Sequence, residues 1–378
     1  MRKNITIFSL FLLLILGYSY KSHALDPTTH QKINEYVAIN TLNEFSLDNY
    51  LKTNLGFSEG KDAFINGKKA FIWIRDGGYY EDIPPDGKAY RRSINHFHNP
   101  LTDQGYSGPW YTFGFLSGLS STQWILLPQN TQSPYGFYSL HDVRDYYYQA
   151  LTAPNKDISN TLFAETFRGL GQLMHLIQDA SVPAHTRNDF HVLYNYEKWV
   201  KANEDGIFKN NPIFFYSIIN NVASFIDTNQ YNGTNPGITA SASLGLSEYT
   251  NANFFSEDTI NASNFPYPKF TEDTQIVEKD YTNTFWDATY PRQYYFKNCC
   301  GETNNGQGYL LSAVDYLDYY RREYPFLSYL LPKIPVLDYN VYDDCASLLL
   351  PRAIGYSAGL LNYFFRGGVR GRSKHFFK

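Results

Sequence analysis

The stretch HLIQDASVPAH places His175, Asp179 and His185 in an otherwise apolar run. In a helix, His175 and Asp179 project from one face a turn apart, a spacing that by itself commonly makes a surface hydrogen bond. The chain after Pro183 then adds His185, His191 and Glu197, and the upstream chain adds His30, Asp82 and His96. Imidazoles grouped with carboxylates are the donor set of zinc. Five of the nine histidines are placed in this way. Of the others, His23 lies in the N-terminal apolar segment, His375 in the basic tail and His141 on an exposed helix face. His98 reads as a packing residue or one that orients a ligand.

HLIQDASVPAH, the following HVLYNYEKW and the preceding EDIPPDGKAYRRSINHFHNP together resemble the zinc-dependent phospholipase C and single-strand-specific nuclease superfamily. The closing segment LLLPRAIGYSAGLLNYFF resembles its bacterial members too, so the likeness spans most of the chain apart from parts of 205–300. The resemblance implies a multi-helix fold around three zinc ions. One zinc takes Asp82, His96, His175 and Asp179. A second takes His30 and, through the α-amino nitrogen and carbonyl oxygen of a free N-terminus, Leu25, with Asp179 bridging the two ions. A bridging carboxylate lowers the repulsion between neighbouring dications. A third takes His185, His191 and Glu197. His191 and Glu197 are six residues apart where the family's phospholipases have four, which makes Asp189 a reserve ligand.

The implied chemistry is phosphoester hydrolysis, because zinc lowers the pKa of a bound water to about 7 and polarises a phosphoryl oxygen. Asp82 and Asp179 are its candidate catalytic carboxylates, Asp82 also orienting the attacking water. A serine or cysteine nucleophile is not required.

Arg2 and Lys3, the apolar run from Ile5 to Leu16 and the small residues of Ser22-His23-Ala24 form a secretory signal with cleavage expected after Ala24. Export to the periplasm or medium follows, and Leu25 becomes the mature N-terminus. Removing Arg2, Lys3 and Lys21, and no acid, moves the formal charge from −4 to −7. Such a chain is no general polyanion binder. Cys299, Cys300 and Cys345 are too few for a disulfide scaffold, although one bridge from Cys299 or Cys300 to Cys345 is open.

The elements that must hold these residues are mainly α. Apolar spacing predicts helices over 30–45, 140–152, 158–180, 194–203 and 344–365, with another around GLSEYTNANFF, and Pro183 ends the third. The closing helix carries Asp344, Arg352 and Asn362 and reads as a buried element, not a membrane span. Residues 57–108, rich in Gly, Pro and Asp, read as ordered loop with short helices at most. Alternating strands in series and glycine-rich phosphate loops are not evident. The expected organisation is one α-helical domain over 25–378, with a loop-rich insertion at about 205–300 and a basic C-terminal tail.

Phospholipid head groups and single-stranded nucleic acid are both phosphodiesters. The acidic mature chain, the spacing from Asp82 to His96 and the pair Tyr196-Glu197 lean towards phospholipase C acting at a membrane surface. The interval from Leu25 to His30 is nuclease-like. Ile83 and Ser93 replace the aromatic residues of choline-preferring relatives. The 34 tyrosines and 28 phenylalanines either fill the core or line an interfacial surface. A secreted binding protein that has lost catalysis is the reading from another class. No stable protein partner is implied.

Overall fold

A 24-residue helix, Lys156–Asp179, is the axis around which the other elements pack, and from Gly169 onward every residue of it is buried. The computed structural model describes residues 25–85, 90–108, 117–132, 136–189, 195–207, 211–215, 221–270, 274–283, 288–298 and 308–367. In chain order the helices are α1 (Pro27–Ile39), α2 (Leu47–Asn54), α3 (Ala70–Asp82), α4 (Tyr90–Ser93), α5 (Ser121–Ile125), α6 (Leu140–Thr152), α7 (Lys156–Asp179), α8 (Pro183–Thr186), α9 (Tyr196–Ile207), α10 (Leu246–Asn253), α11 (Asp318–Glu323) and α12 (Tyr339–Asn362). Strands β1 (Phe64–Ile65) and β2 (Lys68–Lys69) pair as a small hairpin. Strands β3 (Thr274–Asn283), β4 (Ala288–Lys297), β5 (Tyr309–Val314) and β6 (Pro335–Val336) form an antiparallel sheet in sequence order. The protein is therefore mainly helical with two small sheets.

Local chemistry sets the helix ends. Asp26 caps α1 by accepting the Thr28 N–H at 2.9 Å. That helix stops at Ile39, short of the expected Phe45, and Asn43 and Glu44 turn the chain with positive φ. Helix α6 has the expected bounds and a capping box between Ser139 and Asp142. Past Asp179, the Ala180, Ser181 and Val182 N–H groups bond three residues back in a tightened turn, and Pro183 opens α8 at its N1 position.

Two expectations fail. The loop expected over 57–108 contains α3, a full helix, because Gly77 and Gly78 act in packing and not in turning. A Cβ at Gly77 would meet Arg168 O at 2.2 Å and Gly171 Cα at 2.9 Å, and one at Gly78 would meet Asn34 Nδ2 at 2.5 Å. Helix α3 thus lies directly on α7 and α1, which a side chain would prevent. The second failure is the sheet, which runs from the expected loop insertion into the chain beyond it. Its outer strand β3 leaves Ile276 exposed while β5 is buried along its whole length, so neither strand has the alternation that marks a half-buried one.

A polar ladder ties the helices together. Asn34 donates to Ile74 O and Gly171 O at 3.0 Å each, and Gln178 donates to Asn34 Oδ1 at 2.8 Å and to Ser357 Oγ at 3.1 Å. Helices α1, α3, α7 and α12 are joined by these two amides, whose buried donors are all used. Buried Arg187, just after α8, donates to Thr259 Oγ1 at 2.6 Å, Asn251 O at 2.8 Å and Tyr267 O at 2.9 Å, and lies 4.2 Å from the Phe265 ring centre. It clamps the 251–267 segment onto the turn that carries His185. Among the described residues no helix is long and apolar enough to cross a membrane.

Candidate metal centre

Five of the expected ligands meet inside the bundle, each delivered by a different turn. His30 comes from the first turn of α1, Asp82 ends α3, His96 follows α4, and His175 and Asp179 occupy the last turns of α7. All five are almost completely buried. The two oxygens of Asp179 face different partners. Oδ1 lies 3.2 Å from His30 Nε2, and Oδ2 lies 3.0 Å from His96 Nδ1 and 3.2 Å from His175 Nε2. Asp82 reaches His96 Nδ1 with Oδ1 at 3.5 Å and His175 Nε2 with Oδ2 at 3.7 Å. Two triads have the compactness of an ion's ligand set, His30–His175–Asp179 and Asp82–His96–His175. His175 belongs to both.

The rings are oriented from behind. Gly78 O, which can only accept, takes a hydrogen bond from His175 Nδ1 at 2.7 Å, so Nδ1 carries a proton and Nε2 is the nitrogen turned towards the carboxylates. Gln178 Oε1 holds His30 Nδ1 at 2.7 Å in the same sense, since its amide nitrogen is committed to Asn34 and Ser357. His96 is reversed. Its Nε2 lies 3.6 Å from Glu81 Oε1 and its Nδ1 points at Asp179 and Asp82. Glu81 is itself fixed by Arg92 Nη2 at 2.6 Å, Gln172 Nε2 at 2.6 Å and Trp124 Nε1 at 3.0 Å.

The charges are strongly biased. Burial would lower the His96 pKa, but Asp179, Glu81 and Asp82 outweigh it and raise it to about 10. His175 is raised in the same way by Asp179 and Asp82 against burial. His30 goes down, through burial and the neighbouring His175, whose ring stacks on it at 3.6 Å. Burial alone would raise Asp179, yet the His175 and His96 charges hold it well below the usual carboxylate range. In this state the centre is held together by protons on imidazoles. Among the described residues, His30 Nε2, His175 Nε2, both His96 nitrogens and both Asp179 oxygens have no well-aligned hydrogen-bond partner. Buried donors and acceptors aimed at a common point without hydrogen bonds fit a bound cation in place of those protons.

The third expected zinc set is placed in part. His185, on α8, donates through Nδ1 to His96 O at 3.3 Å, stacks on Phe97 at 4.1 Å, and has Nε2 3.6 Å from Glu197 Oε1 in the first turn of α9. His191 lies outside the described residues. Asp189 accepts the Asp258 N–H at 3.0 Å and so faces the 257–259 turn. Leu25 is fully buried two residues before α1, while residues 1–24 and the cleavage site lie outside the described residues. Cys345 is a free, buried thiol among the described residues, and Cys299 and Cys300 lie outside them.

His98, two residues after His96, bonds Asp227 Oδ2 at 2.5 Å. It anchors the loop to the 222–228 segment and, with Asp103 and Asp227, makes a further compact group of His and Asp. His141 is exposed on α6. Glu81, Gln172 and Gln178 escaped the sequence reading. The adjacent acids Glu81-Asp82 and the Gln inside HLIQD were their signals, since an amide in a buried apolar helix must find a partner.

Comparison with protein-family models, with curated proteins and with solved structures finds no match for this chain.

Proposed function

We propose that the protein is an exported zinc-dependent phosphodiester hydrolase with the helical fold of the superfamily it resembles, acting as a phospholipase C on phospholipid head groups. The observation that carries this reading is the carboxylate of Asp179, whose two oxygens face His30 on one side and His96 and His175 on the other. That is the arrangement of a carboxylate shared by two cations.

His30 and Asp179 would hold one ion with the N-terminal Leu25. Asp82, His96, His175 and Asp179 would hold another, and His185 and Glu197 supply two donors for a third, with His191 the expected addition. Zinc suits this mixture of imidazole and carboxylate, and when bound it supplies an ionised water near neutral pH and positive charge for phosphoryl oxygens. The chain's own part is to keep the rings in one tautomer, through Gly78 O, Gln178 and Glu81. Burial of the two Asp carboxylates keeps competing solvent away, and their ionised state supplies the negative charge that adjacent dications need.

The test is zinc content followed by a substrate panel. The purified protein should carry two or more zinc ions and release phosphorylated head groups from phosphatidylcholine or phosphatidylethanolamine, with His175→Ala inactive. Activity confined to single-stranded DNA would assign the nuclease chemistry, and zinc-free protein without activity would leave a binding protein.

A further inference from the structure

Large apolar side chains stand in water along one stretch of the surface, from Tyr316 to Ile334 around α11. Tyr320, Tyr324, Phe326, Tyr329, Leu330 and Ile334 are all exposed, Tyr329 to 91% and Leu330 to 69%. Scattered exposed apolar residues are ordinary, but so many within nineteen positions mark an interaction surface. At such exposure Tyr329 and Leu330 are protrusions and do not line a groove. Asp318 is buried, and Asp315 is turned inward to Arg321 Nη2 at 2.9 Å, whereas Lys333 is exposed.

We propose that residues 316–334 are a lipid-docking surface that seats the protein on a phospholipid bilayer, with Tyr329 and Leu330 entering the boundary between head groups and acyl chains. Tyrosine suits that depth, with an apolar ring and a hydroxyl that stays wet. Protruding aliphatic and aromatic groups enter a fluid phase that needs no preformed pocket, whereas a protein partner must offer a matching socket. The exposed Lys333, with Asp315 and Asp318 turned inward, favours a surface bearing phosphate groups. Leu337, three residues past Ile334, lines a small cavity together with Tyr196 and Glu197. The docking stretch therefore ends close to a small cavity that Glu197 also lines. The proposal rests on the phospholipid reading for its choice of lipid, and its measurement does not require turnover.

The experiment uses zinc-loaded protein, flotation with phosphatidylcholine vesicles with and without phosphatidylglycerol, hydrolysis of soluble bis(p-nitrophenyl) phosphate, and the double variant Tyr329→Ser/Leu330→Ser. Both side chains are exposed, so the variant is expected to fold. Wild-type protein should float with vesicles, and the variant should lose about tenfold or more in partitioning while cleaving the soluble diester as before. Wild type that does not bind vesicles, or a variant that binds them equally, overturns the proposal. So does a wild-type dimer that the variant splits, which would assign the surface to a second copy. Flotation without diester cleavage would sink the hydrolase reading and leave the docking surface standing. Diester cleavage without flotation would do the reverse.

Discussion

His175 Nδ1 donates to Gly78 O at 2.7 Å, a bond between the central helix and a backbone carbonyl that only a close helix crossing can bring into reach. Residue 78 has no side chain, Asn34 fills the space where one would be, and the ring of His175 is thereby fixed with Nε2 towards Asp82 and Asp179.

Gly78→Ala should act on the candidate metal centre without replacing a ligand, although the new Cβ also comes within 3.2 Å of the His30 backbone carbon. The new methyl would meet Asn34 Nδ2 at 2.5 Å and push α3 from α1. Overpacking of this kind costs about 1–3 kcal/mol. Urea denaturation should show that loss together with reduced zinc content, and unchanged values for both would refute the crossing as the ring's positioning device.

Glu81→Gln should weaken zinc binding about 10–100-fold, the usual effect of losing a residue that orients a ligating histidine. It also leaves Arg92 buried without its carboxylate, a disruption worth about 3–5 kcal/mol for a buried pair. Arg92→Met separates the two effects. It should lose stability in the melt while keeping Glu81 opposite His96, and a competition titration against a zinc chelator reads the affinity.

Zinc uptake should release protons. In the metal-free protein His96 keeps its proton up to about pH 10, against 6.5 for an ordinary histidine. The stabilisation from this charged ring is complete below about 6.5 and is lost as pH rises through about 10, because the folded value lies above the unfolded one. A cation can take the His96 nitrogen only after the proton leaves. Apparent zinc affinity should therefore climb with pH through the same window, about tenfold per unit for each proton displaced. Calorimetry in buffers of different ionisation enthalpy counts those protons, and heats independent of buffer would contradict the scheme.

Asp179→Asn should remove more than one ion. The substitution keeps shape and burial but takes away the charge facing His30, His96 and His175. Loss of all diester hydrolysis and a fall in zinc by more than one per chain are expected. Loss of a single ion by elemental analysis would mean that the carboxylate does not bridge.

The sequence yielded the site more readily than the elements around it. The four-residue interval sets His175 and Asp179 on one helix face, but it is the further histidines and acids along the chain that mark the pair as part of a candidate site. Asp82 was picked out through the resemblance although its helix went unseen, since Gly77 and Gly78 look like turn residues until the helices they pack against are known. Glu81 and Gln178 act from behind the ligands, and nothing in their own spacing reveals which ring they hold. The sheet was hidden because β5 is buried along its length and β3 stands largely in solvent, leaving no alternation to detect.

The amide of Gln178 also sets an order of assembly. Its partners are Asn34 and Ser357, so the group that aims His30 is completed only when a segment 179 residues further along the chain has docked. Contacts so distant in sequence close late in folding, after local helices have formed. His30, Asp82, His96, His175 and Asp179 all leave the ribosome well before α12, yet the site they build is finished by α12. A nascent chain would therefore hold the candidate centre incomplete until α12 seats, which ties the geometry of His30 to the docking of that helix.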